Sequence, residues 1–378
     1  MDRLIVPQGT FPLRRYPRQT RDPLRAWDAA DEYLLQHLFD EGLPGPGPLL
    51  IANDAFGALS VPLAAHRPWM LSDSFLAHRG TEANLADCAL PLESVRLLTS
   101  LQAPEGVCDL VLIKIPKSLA LLEDELFALR PHLHPGTRII GAGMAKSIHT
   151  STLALFERIL GPTTTSHARK KARLIFSSPD PALHPGTSPY PLHFRLEETG
   201  DLITNHAGVF SRERLDIGTR FFLDHLPASN AEQTIVDLGC GNGVLGVVAA
   251  RRNPRAHLVF TDESFMAVAS ADENFRAAFG ERQAEFLVTD TLAGIPRKSA
   301  DLILNNPPFH QENVVGDQIA WRMFREAKEV LREGGELRVV GNRHLGYHVK
   351  LKKLFGNCET IAGNAKFVIL KAVRRKQR

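Results

Sequence analysis

Four cysteines in 378 residues, Cys88, Cys108, Cys240 and Cys358, are too few and too scattered to staple a fold or to hold a zinc ion. They are expected to be buried or incidental thiols, and no metal is expected. No apolar run approaches the roughly 20 residues of a membrane-spanning helix. The N-terminus carries charges and prolines where a signal peptide needs an apolar stretch. A cytoplasmic protein with no membrane partner is therefore expected. A strong excess of one charge is missing too. With 45 basic and 42 acidic side chains, a net charge of +3 permits RNA binding without demanding it. At 44% hydrophobic and 23% charged, the length is that of two ordinary globular domains.

Positive charge is instead local. Arg14, Arg15, Arg18, Arg21 and Arg25 form one group, and Arg169, Lys170, Lys171 and Arg173 a second. Lys350, Lys352 and Lys353 form a third, and Arg374, Arg375, Lys376 and Arg378 close the chain. Taken singly, each reads as a solvated face as readily as a phosphate-binding surface.

Chemistry concentrates in Asp301 to Phe309, Asp-Leu-Ile-Leu-Asn-Asn-Pro-Pro-Phe. A short apolar run bounded by two prolines predicts a buried parallel strand that must stop at Asn306. Ligands bind outside the carboxyl ends of such strands. There Asn306 and the backbone carbonyl of Pro307, both acceptors, suit a planar amino group with two donors. Pro308 ends the turn, and Phe309 offers a flat face for a base.

Upstream, Thr234 to Gly246 reads Thr-Ile-Val-Asp-Leu-Gly-Cys-Gly-Asn-Gly-Val-Leu-Gly. This is a strand, then alternating glycines, then a helix. Gly239, Gly241 and Gly243 let the backbone turn and approach a ligand closely. Their spacing differs by one residue from the dinucleotide fingerprint. Asp237 beside them would repel a pyrophosphate and attract an ammonium, which points to S-adenosylmethionine. The next strand ends in Asp262, placed to accept both hydroxyls of a ribose.

Together, Val-Asp-Leu-Gly-Cys-Gly-Asn-Gly, Asp262 and Asn-Pro-Pro-Phe resemble the class I S-adenosylmethionine-dependent methyltransferases that modify exocyclic or amide nitrogens. That leaves adenine N6, guanine N2 and glutamine N5 as acceptors. Val209 to Ser211, Leu215 to Gly218, Asn342 to Leu345 and Leu354 to Cys358 extend the resemblance to the ribosomal RNA guanine-N2 methyltransferases, over nearly the whole chain. The resemblance implies 23S ribosomal RNA as partner and S-adenosylmethionine as cofactor. It places the cofactor along Asp237, Gly239, Cys240, Gly241, Asn242, Gly243 and Asp262. Asp290, after a strand Glu285 to Thr289, is implied at the adenine amino group.

The glycine-loop segment has an earlier shadow. Leu49 to Leu63 lies on Ile235 to Ala249 at a constant offset of 186 residues. Gly57 matches Gly243, but Ile51 stands for Asp237, Asn53 for Gly239 and Ala55 for Gly241. Asp73 and Asn84 echo Asp262 and Asn274. Lys114 and Lys117 stand where Asn306 and Phe309 should be, and an ammonium cannot accept from an amino group. The expected architecture is α/β, with two tandem Rossmann-like methyltransferase domains on seven-stranded, mostly parallel sheets. Residues 1–178 form a degenerate copy expected to recognise RNA. Residues 179–192 form a proline-rich linker, and residues 193–378 the catalytic domain. The chain before Arg25 is expected to be extended and without periodicity, and Trp27 to Leu38 to be a helix.

The runners-up are an adenine-N6 or protein glutamine-N5 methyltransferase and a non-catalytic RNA-binding assembly factor. No obligate protein partner is evident. His310, His344 and His348 are not needed as bases. A guanine amino lone pair is shared with its ring, so orienting it contributes more than deprotonating it.

Overall fold

The computed structural model describes residues 3–18, 24–43, 47–308 and 314–376, and only the backbone of 314–317. The chain divides into two units, Met1–Tyr190 and Pro191–Arg378. Each holds a seven-stranded sheet. In the second, the spatial order is Glu285–Val288, His257–Asp262, Thr234–Leu238, Ala300–Asn305, Leu331–Asn342, Phe367–Val373, Glu359–Gly363. The first five strands run parallel, and the last two pair antiparallel.

The first unit repeats this order strand for strand: Arg96–Thr99, Trp69–Ser72, Leu49–Ala52, Cys108–Lys114, Leu133–Met144, Ala172–Ser177, Thr163–Thr165. Its antiparallel pairs are again the last two. The duplication is thus complete at the level of topology.

Both faces of each sheet are covered, which is why the central strands are mostly apolar. In Thr234–Leu238, Ile235 enters one core cluster while Val236 and Leu238 enter the other, the period of two that a pleat imposes. Asp237 therefore shares a face with Ile235 and meets the helix Val244–Arg252.

Two segments differ from the sequence expectation. Before Arg25 the chain is not merely extended. Leu4–Val6 and Gly9–Phe11 pair as an antiparallel hairpin, with Leu4 and Leu13 buried in the core. It corresponds to the hairpin Leu192–Arg195 with Leu202–Asn205 in the second unit. An asparagine clamp recurs beside each, on Arg14 just beyond the first hairpin and on Thr204 within the second. Asn84 accepts from the Arg14 N–H at 3.0 Å and donates to the carbonyls of Arg14 and Phe56. Asn274 accepts from the Thr204 N–H at 2.7 Å and donates to the carbonyls of Thr204 and Asn242.

The proline-rich stretch is tied down along the first unit. Arg130 donates to the carbonyls of Asp180 and Leu183, Ser188 to Asp124 and the Tyr190 hydroxyl to Glu123. The helix expected over Trp27 to Leu38 runs Ala29–Glu41, capped by Asp28.

Candidate active site

Among the described residues, nine buried side-chain atoms have no hydrogen-bond partner. Five of them sit at the carboxyl ends of strands in the second sheet: Asp237 Oδ1, Thr261 Oγ1, Asn305 Oδ1, Asn306 Oδ1 and Asn342 Oδ1. Buried polar atoms are nearly always paired. Such a concentration on one sheet edge marks the place where a polar ligand would satisfy them, and it is the edge where open α/β sheets bind ligands. A cleft of about 420 Å³ at the opposite edge, lined by Gln233, Asp301, Glu336 and Arg338 among others, gathers no such atoms. Two of its carboxylates are already paired, Asp301 with Arg332 and Glu336 with Arg338.

The glycine loop is built for approach. Gly239, Gly241 and Gly243 all adopt left-handed backbone, with φ of 69°, 54° and 75°. The reasons for having no side chain differ. A Cβ on Gly243 would lie 2.7 Å from Ala271 Cβ and 2.9 Å from its Cα, so this glycine serves helix packing. A Cβ on Gly241 would meet nothing within 4 Å of protein, so its bareness faces open space at the sheet edge.

Asp237 is fully buried beneath the loop. Its Oδ2 accepts the Gly246 N–H at 2.8 Å and its Oδ1 is unpartnered. Burial pushes its carboxyl up to about 8, the Gly246 N–H opposes that rise, and the nearby Asp262 adds to it. A positively charged group placed at Oδ1 would be favoured by attraction and would restore the missing contact.

Asp262 closes the adjacent strand. Its oxygens accept the Gly241 N–H at 3.0 Å and the Ser264 N–H at 3.1 Å. Burial raises its carboxyl, and N–H groups of Gly241, Ser264 and Glu263 counteract that. Three of the carboxylate's roughly four acceptor positions are thus taken, and one is left for a ligand hydroxyl.

Cys240 and Asn242 have side chains turned inward. Cys240 is buried, its thiol pushed well above the usual range by desolvation and then by Asp262 and Asp237. Asn242 donates to Asn205 Oδ1 at 2.8 Å and accepts the Val244 N–H at 3.2 Å, so its side chain fixes the loop. Asp290 follows the strand Glu285–Val288 and is gripped by both terminal nitrogens of Arg322, one at 2.8 Å. Burial raises its carboxyl and Arg322 lowers it. Arg322 escaped the sequence reading. The signal was its i, i+4 spacing to Glu326, which accepts from the Thr291 hydroxyl and the Leu292 N–H on the same loop.

The Asn-Pro-Pro turn leaves the sheet beside the glycine loop. Asn305 Nδ2 donates to the Leu238 carbonyl at 2.8 Å, joining the ends of the two central strands. Asn306 Nδ2 donates to Thr219 Oγ1 at 2.9 Å, and its Oδ1 is buried with no partner among the described residues. Pro307 is buried and Pro308 exposed, while Phe309 and His310 lie outside the described residues. His344 and His348 are exposed. Thr219, on the helix Ile217–Leu223, was not singled out from the sequence.

Two family models match the chain, one described as the RLMG N-terminal domain over residues 1–181 and one as the methyltransferase small domain over residues 201–371. The ribosomal RNA large subunit methyltransferase G of Streptomyces avermitilis is 54% identical over 99% of this chain and 100% of its own length. The protein of the same name from Aeromonas salmonicida is 52% identical over 96% of this chain and 97% of its own length. Among solved structures, a T. thermophilus 16S rRNA N2 methyltransferase in complex with AdoMet and guanosine superposes with a TM-score of 0.75 at 22% identity. That superposition covers 99% of this chain and 98% of that one, a likeness of fold.

Proposed function

The chain belongs to the ribosomal RNA large subunit methyltransferase G family, and from that premise we propose that it methylates the N2 amine of a guanosine in 23S ribosomal RNA with S-adenosylmethionine. The observation that carries the reading is the unpartnered Asn306 Oδ1 at the carboxyl edge of the second sheet. An acceptor there can take a hydrogen of an amino group brought to it. The relatives' names specify ribosomal RNA of the large subunit, which favours a base of 23S RNA over a protein glutamine.

The residues present fit the cofactor. Asp237 Oδ1 is a buried acceptor without a donor, Gly241 leaves open space at the loop, and Asp262 retains an acceptor position for a ribose hydroxyl. When bound, the cofactor supplies an electrophilic methyl group on a sulfonium. In this reading Asp237 attracts its ammonium, and Asp262 takes the ribose. Asp290, already fixed by Arg322, has lone pairs left to accept from the adenine amine.

Asn306 Oδ1 and the Pro307 carbonyl accept the two amino hydrogens of the target base. That orients the nitrogen lone pair for in-line attack, and a proton is lost as or after the new bond forms. Phe309 supports the base face. No strong base is required, in keeping with the exposure of His344 and His348.

The test is a single-turnover reaction of the full chain with labelled cofactor and large-subunit ribosomal RNA, followed by identification of the methylated nucleoside. N2-methylguanosine is expected. Asn306→Ala should slow the reaction by about two to three orders of magnitude, the scale of one preorganised polar group, with little change in cofactor affinity. Label in adenosine N6 or in ribosomal protein would redirect the reading, and a wild-type rate in Asn306→Ala would remove that residue from the chemistry.

A further inference from the structure

We infer that Thr219, itself held by Asp216, is a positioning residue that fixes which end of the Asn306 amide faces the substrate; this rests on the reading of Asn306 as the acceptor. An asparagine side chain is nearly symmetric in shape, and only its oxygen can accept an amino hydrogen. Something must keep that oxygen turned outward.

Asp216 is the N-cap of the helix Ile217–Leu223, and its Oδ2 accepts the Thr219 N–H at 2.9 Å. The same oxygen receives the Thr219 hydroxyl at 3.4 Å. A threonine hydroxyl has one proton, and the Asp216 carboxylate, at 3.4 Å a long contact, is the acceptor toward which its charge turns that proton. Toward Asn306 the Thr219 oxygen presents only lone pairs, so it accepts and cannot donate. The Asn306 face that meets it at 2.9 Å must therefore be the NH2, and Oδ1 is left on the far side. Thr219 is buried, which keeps water from offering the amide another arrangement.

The first unit holds the same three positions with other chemistry. Asp28 caps the helix Ala29–Glu41, Asp31 sits at its third residue as Thr219 does in the second, and Lys114 ends the strand next to the central one. Lys114 Nζ lies 2.9 Å from Asp28 Oδ1 and 2.7 Å from Asp31 Oδ1. In the first unit the strand-end side chain is held by both the cap and the third residue of the helix before the central strand; in the second it is held by the third residue, which the cap holds in turn. Where Asn306 became Lys114, Thr219 became Asp31. An ammonium needs carboxylates, whereas an amide that must expose its oxygen needs a pure acceptor.

The experiment compares Thr219→Val, Thr219→Ser and Asn306→Ala in the full chain, by single-turnover methylation of large-subunit ribosomal RNA, cofactor titration and thermal unfolding. Thr219→Val keeps the shape and loses the acceptor. Its rate should fall about a hundredfold, the scale of a misplaced reacting group, with cofactor affinity unchanged. Thr219→Ser restores the acceptor and should recover most of that rate. Should Thr219→Val fail to fold, Asp216→Asn serves instead. It keeps a capping oxygen but not the charge that draws the hydroxyl proton, and about a tenfold loss is expected. A wild-type rate in Thr219→Val or in its Asp216→Asn substitute, or a Ser variant as slow as Val, overturns the positioning role. If Asn306→Ala is slow while Thr219→Val is fast, only this inference fails; if Asn306→Ala is fast, the underlying reading fails as well.

Discussion

The two units carry the same seven-strand order, yet their carboxyl edges have opposite character. In the second, Asp237, Asn305 and Asn306 bury acceptors that no donor meets. In the first, most of the polar groups are closed on one another, and Glu125 Oε1 and Ser60 Oγ are the buried atoms left without a partner near that edge among the described residues. Lys114 is clasped by Asp28 and Asp31. Asn53 donates to the Lys114 carbonyl and to Glu125, and Asp73 takes the Ser100 hydroxyl at 2.6 Å. Asp54 accepts three successive N–H groups from Ala58, Leu59 and Ser60 and so caps its own loop.

The glycines make the same distinction. Gly57 is retained opposite Gly243, and both are crowded by the following helix, with a Cβ on Gly57 falling 3.3 Å from Thr81 Cα. Gly241, which faces open space, has become Ala55. Asn53 replaces Gly239 and keeps its left-handed backbone at φ 63°, a conformation asparagine tolerates. What packing requires has persisted, and what ligand approach requires has gone.

The largest effect expected from that contrast is at Gly241. Gly241→Ala places a methyl in the open space, and Gly280→Ala imposes positive-φ backbone strain of its own, at φ 58° with no neighbour within 4 Å, away from the site. Cofactor affinity should drop about ten- to hundredfold in the first, the cost of overfilling a packed site. It should hold in the second. Equal losses would mean that strain, not ligand approach, explains the glycine.

A smaller effect separates two carboxyls raised to the same value. Asp237 and Glu125 are both raised to about 8 by burial, one at each edge. Below pH 8 the free protein holds Asp237 protonated, so a cationic ligand must displace a proton. Cofactor affinity should rise up to about tenfold per pH unit between pH 7 and 8 and flatten above, and Asp237→Asn should abolish the slope. Glu125 should affect stability alone. Its folded value lies above its unfolded one, so the native state holds the extra proton between about pH 4.5 and 8 and loses stability as pH rises through that window. Glu125→Gln should raise the unfolding temperature most above pH 8 and leave cofactor affinity unchanged. A shifted affinity would give the first unit a part in binding.

Much of this was legible in the sequence because it is local. The glycine loop, Asp262 and the Asn-Pro-Pro turn are short motifs whose residue types state their chemistry, and the 186-residue offset exposed the duplication. The first hairpin was missed because strands of three residues among arginines and prolines leave no periodicity to read. Its trace was the pairing of Asn84 with Asn274, whose side chains clamp the chain just beyond the hairpin in the first unit and within it in the second. Thr219 was invisible for another reason: its partner Asn306 is 87 residues away, and a threonine at the third position of a helix looks like ordinary capping. Setting Trp27-Asp28-Ala29-Ala30-Asp31 beside Leu215-Asp216-Ile217-Gly218-Thr219 would have revealed it.

The central claim is that one edge of one sheet holds the cofactor. Titrating S-adenosylmethionine into the full chain by calorimetry tests it most directly, with Asp262→Ala as the companion variant. The account predicts one site per chain, and severe weakening of that site in Asp262→Ala. Two sites per chain, or a single site indifferent to Asp262→Ala, would contradict it.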